Sequence, residues 1–439
     1  MKLAIVIEHF DATRGAAEHL AVWLAHQMQK SGHEVHVLCH DVAARINRFR
    51  QATLRASFDK DQSHRAQGAP DAHHEGIHIH RLRGMRLNTA FGFRLFGLRA
   101  RRWTAANRMD VVHSFTVACP GDVYHSCAGV YAAIQKQAAA TRATPTAAVW
   151  KRLLLKLPGK QRTLIALERR AVSGRRRLKG ARVVRGGRGG AKRIISLCPM
   201  MSAQFIEHYG DAARKKLLTL QTPRLQDNGG LPSESAAAER RAWIRGHYGI
   251  GPAERVALFV GHDFRRKGLR YAIHAIARTQ NWKLLIVGMG RTREYVEMID
   301  DLHLGFGVPR DNSGGGPRVL FVGPTREMES IYAAGDALLL PAFYEPSSLV
   351  PLEALSHGLP VISTAFLGAA DLVQRHNAGT IVPSPRDIDL MAAALSALPD
   401  PESTAGKSLA RRAEAAAEEI SPDRFLEKLA ELYQQVRTG

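Results

Sequence analysis

Short apolar runs alternate along the chain with stretches in which apolar residues recur every three or four positions. Residues 3–7 predict a strand, 19–30 an amphipathic helix, 34–39 a second strand and 111–113 a later one, an alternation that builds a parallel sheet covered by helices. Residues 222–239 break the pattern. Within them Asp227-Asn228-Gly229-Gly230 cannot continue a regular element and reads as an interdomain linker. A second alternation begins at residue 256, so the chain divides into an α/β domain over 1–225, another over 226–415 and a closing helix over 416–439. In the last segment Ser421 and Pro422 supply a helix cap and a proline at the first helical position, and Phe425, Leu426, Leu429, Leu432, Tyr433 and Val436 share one face. With 439 residues, 45% of them hydrophobic, each domain has material for its own core.

Charge adds a second pattern. Lys and Arg number 62 against 40 acids, a formal net charge of +22. The excess is concentrated: residues 151–193 hold 16 basic residues and the single acid Glu168. There Leu153, Leu154, Leu155 and Leu157 sit among Lys151, Arg152, Lys156 and Lys160. Residues 81–103 interleave Arg81, Arg83, Arg86, Arg94, Arg99, Arg101 and Arg102 with Phe91, Phe93, Phe96 and Trp103. Both stretches have the mix of a segment lying on an anionic membrane surface. Arg and Gly with neighbouring aromatics also attract nucleic acid, but no RNA- or DNA-binding motif accompanies them and the second domain lacks the excess. The run 182–193, with Gly186-Gly187-Arg188-Gly189-Gly190, reads as a mobile insertion. No apolar run approaches the ~18 residues needed to span a bilayer, and the opening run ends too early, at Glu8 and His9, for a signal-peptide core. Cys39, Cys119, Cys127 and Cys198 show no CxxC spacing and read as free thiols in a reducing cytoplasm.

The candidate chemistry lies mainly in the second half. Glu345 and Glu353 flank Pro346-Ser347-Ser348-Leu349-Val350-Pro351-Leu352. A helix starting near Ser347 would aim free N–H groups of Ser347, Ser348 and Leu349 at an anion, put Pro351 in the first turn and carry Glu353 roughly two turns in. The alternative is an ordinary capped helix with solvated acids. Upstream, Arg266-Lys267-Gly268 follows a strand and precedes a helix, a grip for a diphosphate or else a solvated basic turn. In the first half, Gly15 after the first strand would let a ligand approach the backbone. Glu18 or His19 starts the next helix and either faces the cleft or serves as a capping acid and a helix-face histidine. His113 and His125 follow strand-like runs and would line the same cleft, His125 being the better candidate. Two apparent metal motifs fail: Asp387-Ile388-Asp389 opens a helical pattern, where acids favour the N-terminus for ordinary reasons, and His73, His74, His78 and His80 read as a solvated face.

Taken in order, Arg266-Lys267-Gly268, Leu284-Leu285-Ile286-Val287-Gly288-Met289-Gly290, Val319-Leu320-Phe321-Val322-Gly323, Tyr332-Ala333-Ala334-Gly335-Asp336, Glu345 to Glu353 and Gly358-Leu359-Pro360-Val361-Ile362 resemble the retaining GT-B glycosyltransferases of family 4. Residues 261–268, Asp122-Val123-Tyr124 and Gly129-Val130-Tyr131 are most similar to those that add glucose to the heptose of the lipopolysaccharide inner core. The resemblance implies two Rossmann-like domains facing a central cleft, the acceptor on the first, the nucleotide sugar on the second, and a final helix crossing back to the first. It implies that Glu353 binds ribose hydroxyls, that Glu345 lies by the donor sugar and that backbone at Val322 and Gly323 faces the base. The expected reaction is transfer of a hexose from UDP-glucose or a similar donor, with retention and no metal or other cofactor, to an anionic glycolipid at the inner face of the cytoplasmic membrane. A double displacement through a carboxylate nucleophile stays open. So does a soluble transferase of the same fold acting on a small or polysaccharide acceptor, which leaves the basic stretches unexplained. Ala16, where the family usually has a second glycine, departs from the pattern and concerns the approach of the first loop to the donor phosphates.

Overall fold

The structure, a computed structural model, describes residues 1–42, 76–82, 84, 85, 87–141, 146, 150, 159–174, 190–225, 234–305, 307, 316–325, 327–347 and 349–438. Residues 1–225 contribute β1 (Lys2–Val6), β2 (His9–Phe10), β3 (Glu34–Cys39), β4 (Asp41–Val42), β5 (Ile77–Arg81), β6 (Val111–Ser114), β7 (Val123–His125), β8 (Arg193–Ser196) and β9 (Leu217–Thr219). Seven of them pair in the order β5-β3-β1-β6-β7-β8-β9, every described pairing parallel, with β2 and β4 forming a separate ribbon. The second sheet has β10 (Arg255–Val260), β11 (Trp282–Val287), β12 (Val319–Gly323), β13 (Ala337–Leu340), β14 (Val361–Thr364) and β15 (Gly379–Val382), again all parallel, in the order β12-β11-β10-β13-β14-β15. Helices cover both faces of such sheets, so central strands read as continuous apolar runs; all six residues of β11 and all four of β13 are buried.

Both sheets reverse their strand order once, between β1 and β6 and between β10 and β13. Loops leaving the carboxyl ends of the two strands at such a point diverge and open a crevice. Each domain has its own core, and the closing helix Pro422–Thr438 buries Phe425, Leu429, Leu432, Tyr433 and Val436 in the first one. The chain thus returns to the domain in which it began, as the GT-B resemblance implies.

Two stretches depart from the expected pattern. The first helix is Ala16–Lys30, because Gly15 in extended conformation serves as its cap residue. A helix Glu234–His247 occupies the end of the expected linker, while residues 226–233 lie outside the described residues. All four cysteines are free and buried, and among the described residues no helix is long and apolar enough to cross a membrane.

Candidate active site

The loops after β10 and β13, the two strands at the second switch point, carry the centre of the site. After β10, the Asp263 side chain accepts the Arg266 backbone N–H and starts the short helix Phe264–Lys267. The expected basic turn is therefore a capped helical turn that aims two consecutive cations at the neighbouring loop. Arg266 Nη1 donates to the Glu345 carboxylate at 2.7 Å and to the Tyr344 carbonyl at 2.7 Å, and Lys267 Nζ lies 3.3 Å from the same Glu345 oxygen. Lys267 and Glu345 are buried, 6% and 8% exposed, whereas the Arg266 side chain keeps 38% of its surface. Gly261 has φ +138° and lies under the Lys267 side chain, so a Cβ there would collide with the lysine stem.

Glu353 belongs to the next element. The helix is Leu349–Ser356 and not one begun at Ser347, so Glu353 sits just past its first turn, with Pro351 in that turn as the missing N–H requires. Its carboxylate accepts the Tyr332 hydroxyl at 2.6 Å. Ser347 precedes the helix, and Ser348 lies outside the described residues. Val322 and Gly323 end β12, where Gly323 has φ +78° and its carbonyl accepts the Gly288 N–H at 2.9 Å. The structure thus brings Arg266, Lys267 and Glu345 together, with Glu353 on the helix that follows the Glu345 loop.

Across the cleft, the first domain has a cavity of about 560 Å³ whose walls include Glu8, His9, Arg14, Glu18, His40 and Lys160. Burial raises the Glu8 carboxyl above its usual range, against a hydrogen bond with Thr116. Burial also lowers His9, with Arg14 adding to the effect. Glu18 lines this cavity from the first turn of Ala16–Lys30, with its carboxylate folded toward Gly15. Gly15 itself has φ −179°, a conformation open to any residue, and a Cβ there would lie 2.9 Å from a Glu18 carboxylate oxygen.

His125 and His113 do not line the cleft. Both are fully buried: His113 Nε2 lies 3.1 Å from His125 Nδ1, His113 Nδ1 lies 2.7 Å from the Tyr433 hydroxyl, and His125 stacks on Phe115 and Phe425. Placing a histidine at a strand end said nothing of what covers it, and here the closing helix does. Of the strand histidines, His78 is exposed as expected, but His80 is half-buried against Trp103 and pairs with His36 at 3.1 Å, while His73 and His74 lie outside the described residues. Asp387 accepts the Ser384 N–H at 2.9 Å, and Asp389, exposed at the surface, pairs with Arg278 at 2.8 Å.

Residues 254–400 match the family model described as glycosyl transferases group 1. This segment is a glycosyl transferases group 1 domain. The chain is 33% identical over 142 residues to the lipopolysaccharide glucosyltransferase WaaG of Escherichia coli (strain K12), an alignment covering 31% of this chain and 35% of that one. It therefore spans about a third of the length of that curated relative. Over the whole fold it is similar to the crystal structure of WaaG, a glycosyltransferase involved in lipopolysaccharide biosynthesis, with a TM-score of 0.68, 21% identity and coverage of 98% and 99% of the two chains. It is also similar to Anabaena HepE in complex with UDP and glucose, with a TM-score of 0.62, 16% identity and 99% of each chain covered. The two-domain arrangement is the GT-B fold.

Sequence reading assigned no role to Tyr332, Tyr344 or Asp263 in and beside the group 1 domain. Tyr332 stands in a quoted motif, so position flagged it, but its bond to Glu353, 21 residues on, depends on how the two helices on either side of β13 pack. Arg224, in the linker, is within electrostatic reach of Glu353, although burial lowers its pKa overall.

Proposed function

We propose that this chain is a retaining glycosyltransferase that moves a hexose from UDP-glucose or a similar nucleotide sugar to the lipopolysaccharide core, or another anionic glycolipid, at the inner face of the cytoplasmic membrane. The observation that carries the reading is the convergence of Arg266 and Lys267 on one Glu345 oxygen at the switch point of the second sheet. As the glycosidic bond to the diphosphate breaks, negative charge grows on the leaving oxygen, and a guanidinium fork beside a compact ammonium stabilises that charge in place of a metal. The leading N–H groups of Leu349–Ser356 extend the same anion site. A diphosphate drawing on both cations loosens their hold on Glu345 and leaves that carboxylate beside the sugar. In this reading Glu353, held by the Tyr332 hydroxyl, accepts the ribose hydroxyls.

The acceptor half rests on the cavity of the first domain, where Arg14 and Lys160 offer charge to an anionic acceptor and Glu18 a carboxylate. Membrane contact rests on the helix Ala90–Ala106, which presents Phe91, Arg94, Leu98, Arg101 and Arg102 on one exposed face. A screen of nucleotide sugars, read as the nucleoside diphosphate released, tests the donor half: release from a UDP-hexose is expected, and silence across all donors would end the reading. Sedimentation with vesicles tests the surface half, since binding to anionic vesicles no stronger than to neutral ones contradicts it.

A further inference from the structure

Tyr344 immediately precedes Glu345 in the chain, yet its side chain packs in the core of the opposite domain. It is 4% exposed, and its hydroxyl accepts the Val130 N–H at 3.1 Å and donates to Gln204 Oε1 at 2.8 Å. Gly129 makes room for it: the residue has φ +95°, and a Cβ there would lie 2.5 Å from the Tyr344 hydroxyl and 2.6 Å from a ring carbon. On one side of this plug, the Tyr344 carbonyl accepts Arg266 Nη1 at 2.7 Å, and Arg266 in turn holds Glu345. On the other, Tyr131 lines the cavity of the first domain and donates its backbone N–H to the buried Glu168 at 3.0 Å. Glu168 also accepts the Tyr209 hydroxyl at 2.7 Å, which ties the 129–131 segment to two helices.

We propose that Tyr344 is a positioning residue that sets the register between the two domains, holding the Arg266–Glu345 centre at a fixed distance from the acceptor cavity. This rests on the transferase reading above. The physical reason is continuity: one residue is bonded covalently to Glu345, through its carbonyl to Arg266 and through its hydroxyl to the residue before Tyr131. A slip of the domains moves these groups together or breaks a buried hydrogen bond. Reaction between two bound partners is sensitive to displacements of about 1 Å, so loosening this joint impairs sugar transfer more than donor binding. Water needs no such register, so hydrolysis of the donor is spared.

The test compares wild type with Tyr344→Phe, which keeps the ring and removes both hydrogen bonds, and with Tyr344→Ala. With UDP-glucose as donor and a heptose-terminated lipopolysaccharide core as acceptor, Tyr344→Phe is expected to lower the ratio of sugar transferred to sugar hydrolysed at least tenfold, with UDP affinity within twofold of wild type. A merely structural loss would scale transfer and hydrolysis down together and leave that ratio unchanged, which would overturn the proposal. Small-angle scattering supplies an arm independent of activity: Tyr344→Ala should enlarge the radius of gyration while each domain keeps its secondary structure. If wild type releases no UDP at all, the transferase reading fails and the joint is judged on scattering alone, where an unchanged radius would sink it.

Discussion

Strand β13 carries an acid beyond each of its ends, and each acid holds two cations. At the amino end Asp336 accepts Arg241 at 2.6 Å, Arg245 at 3.4 Å and the Val256 N–H at 2.7 Å. At the carboxyl end Glu345 holds Arg266 and Lys267. The ingredients match, but the surroundings differ. Arg241 and Arg245 are committed further, to the carbonyls of Ala333, Ala334, Gly335, Gly251 and Glu254. Such a cluster is saturated and fastens the helix Glu234–His247 to the sheet. Arg266 is about as exposed as Arg241, 38% against 35%, but has one backbone carbonyl besides its carboxylates where Arg241 has two, and Lys267 has Glu345. Two cations sharing one carboxylate oxygen at a crevice can exchange it for another anion; two cations ringed by carbonyls cannot. Charge composition does not separate a structural cluster from a binding one, whereas the end of the strand and the unspent hydrogen-bonding capacity do.

The largest effect should come from Asp336→Ala. It leaves the Val256 N–H and two guanidinium groups without their acceptor in a buried site, and removing one partner of a buried ion pair costs about 3–5 kcal/mol. Urea unfolding should show the midpoint falling accordingly, with the specific activity of the folded fraction retained. Equal stability to wild type would show that the carbonyls alone hold the arginines and would erase the distinction between the two ends.

Lys267→Ala should behave in the opposite sense. Glu345 keeps Arg266, so no charge is orphaned and the unfolding midpoint should move little. Turnover should fall about 10²–10³-fold, the usual consequence of removing one preorganised group that meets developing charge, measured as the rate of UDP release. Loss of stability without loss of turnover would make this end of β13 structural as well.

These outcomes bear on what the chain's letters can reveal. The alternation of apolar runs made both sheets legible, because strands buried on two faces need uninterrupted apolar residues and there are few ways to connect them in parallel. The 266–267 and 345–353 segments were legible because each lies between recognisable elements. Tyr344 was not, since its partners Val130 and Gln204 lie 214 and 140 residues away. His125 was misplaced for the same reason: its cover is the helix Pro422–Thr438, and no local pattern couples the two.

That misplaced histidine supplies a third kind of buried site, ionisable groups with no opposite charge. Burial pushes the His125 pKa down to about 3 and that of His113 well below its ordinary value of 6.5, with His125 adding to the second shift. Above pH 6.5 both are neutral folded or unfolded, so stability is indifferent to them. Below it the unfolded chain takes up protons that the folded one refuses, and stability falls by about 1.4 kcal/mol per pH unit for each histidine until the folded pKa is reached. Thermal unfolding between pH 7 and 5 should show this slope, and His125→Phe should reduce it. A slope unaltered in that variant would assign the acid sensitivity elsewhere.

The smallest effect is the sharpest check on the comparison. Arg265, Arg266 and Lys267 are consecutive, and nothing in their order says which is spare. Arg265 turns outward to Glu294 at 3.0 Å, a pair whose side chains are 50% and 40% exposed. Exposed pairs contribute about 0–1 kcal/mol and weaken with salt, so Arg265→Ala should leave turnover within about twofold and stability within that same ~1 kcal/mol. Helical geometry makes the difference: one residue of a four-residue turn pairs at the surface while the next two reach Glu345 in the loop after β13. If Arg265→Ala cost as much turnover as Lys267→Ala, the contribution of the basic segment would be diffuse charge, and the specific exchange of Glu345 for a diphosphate would lose its foundation.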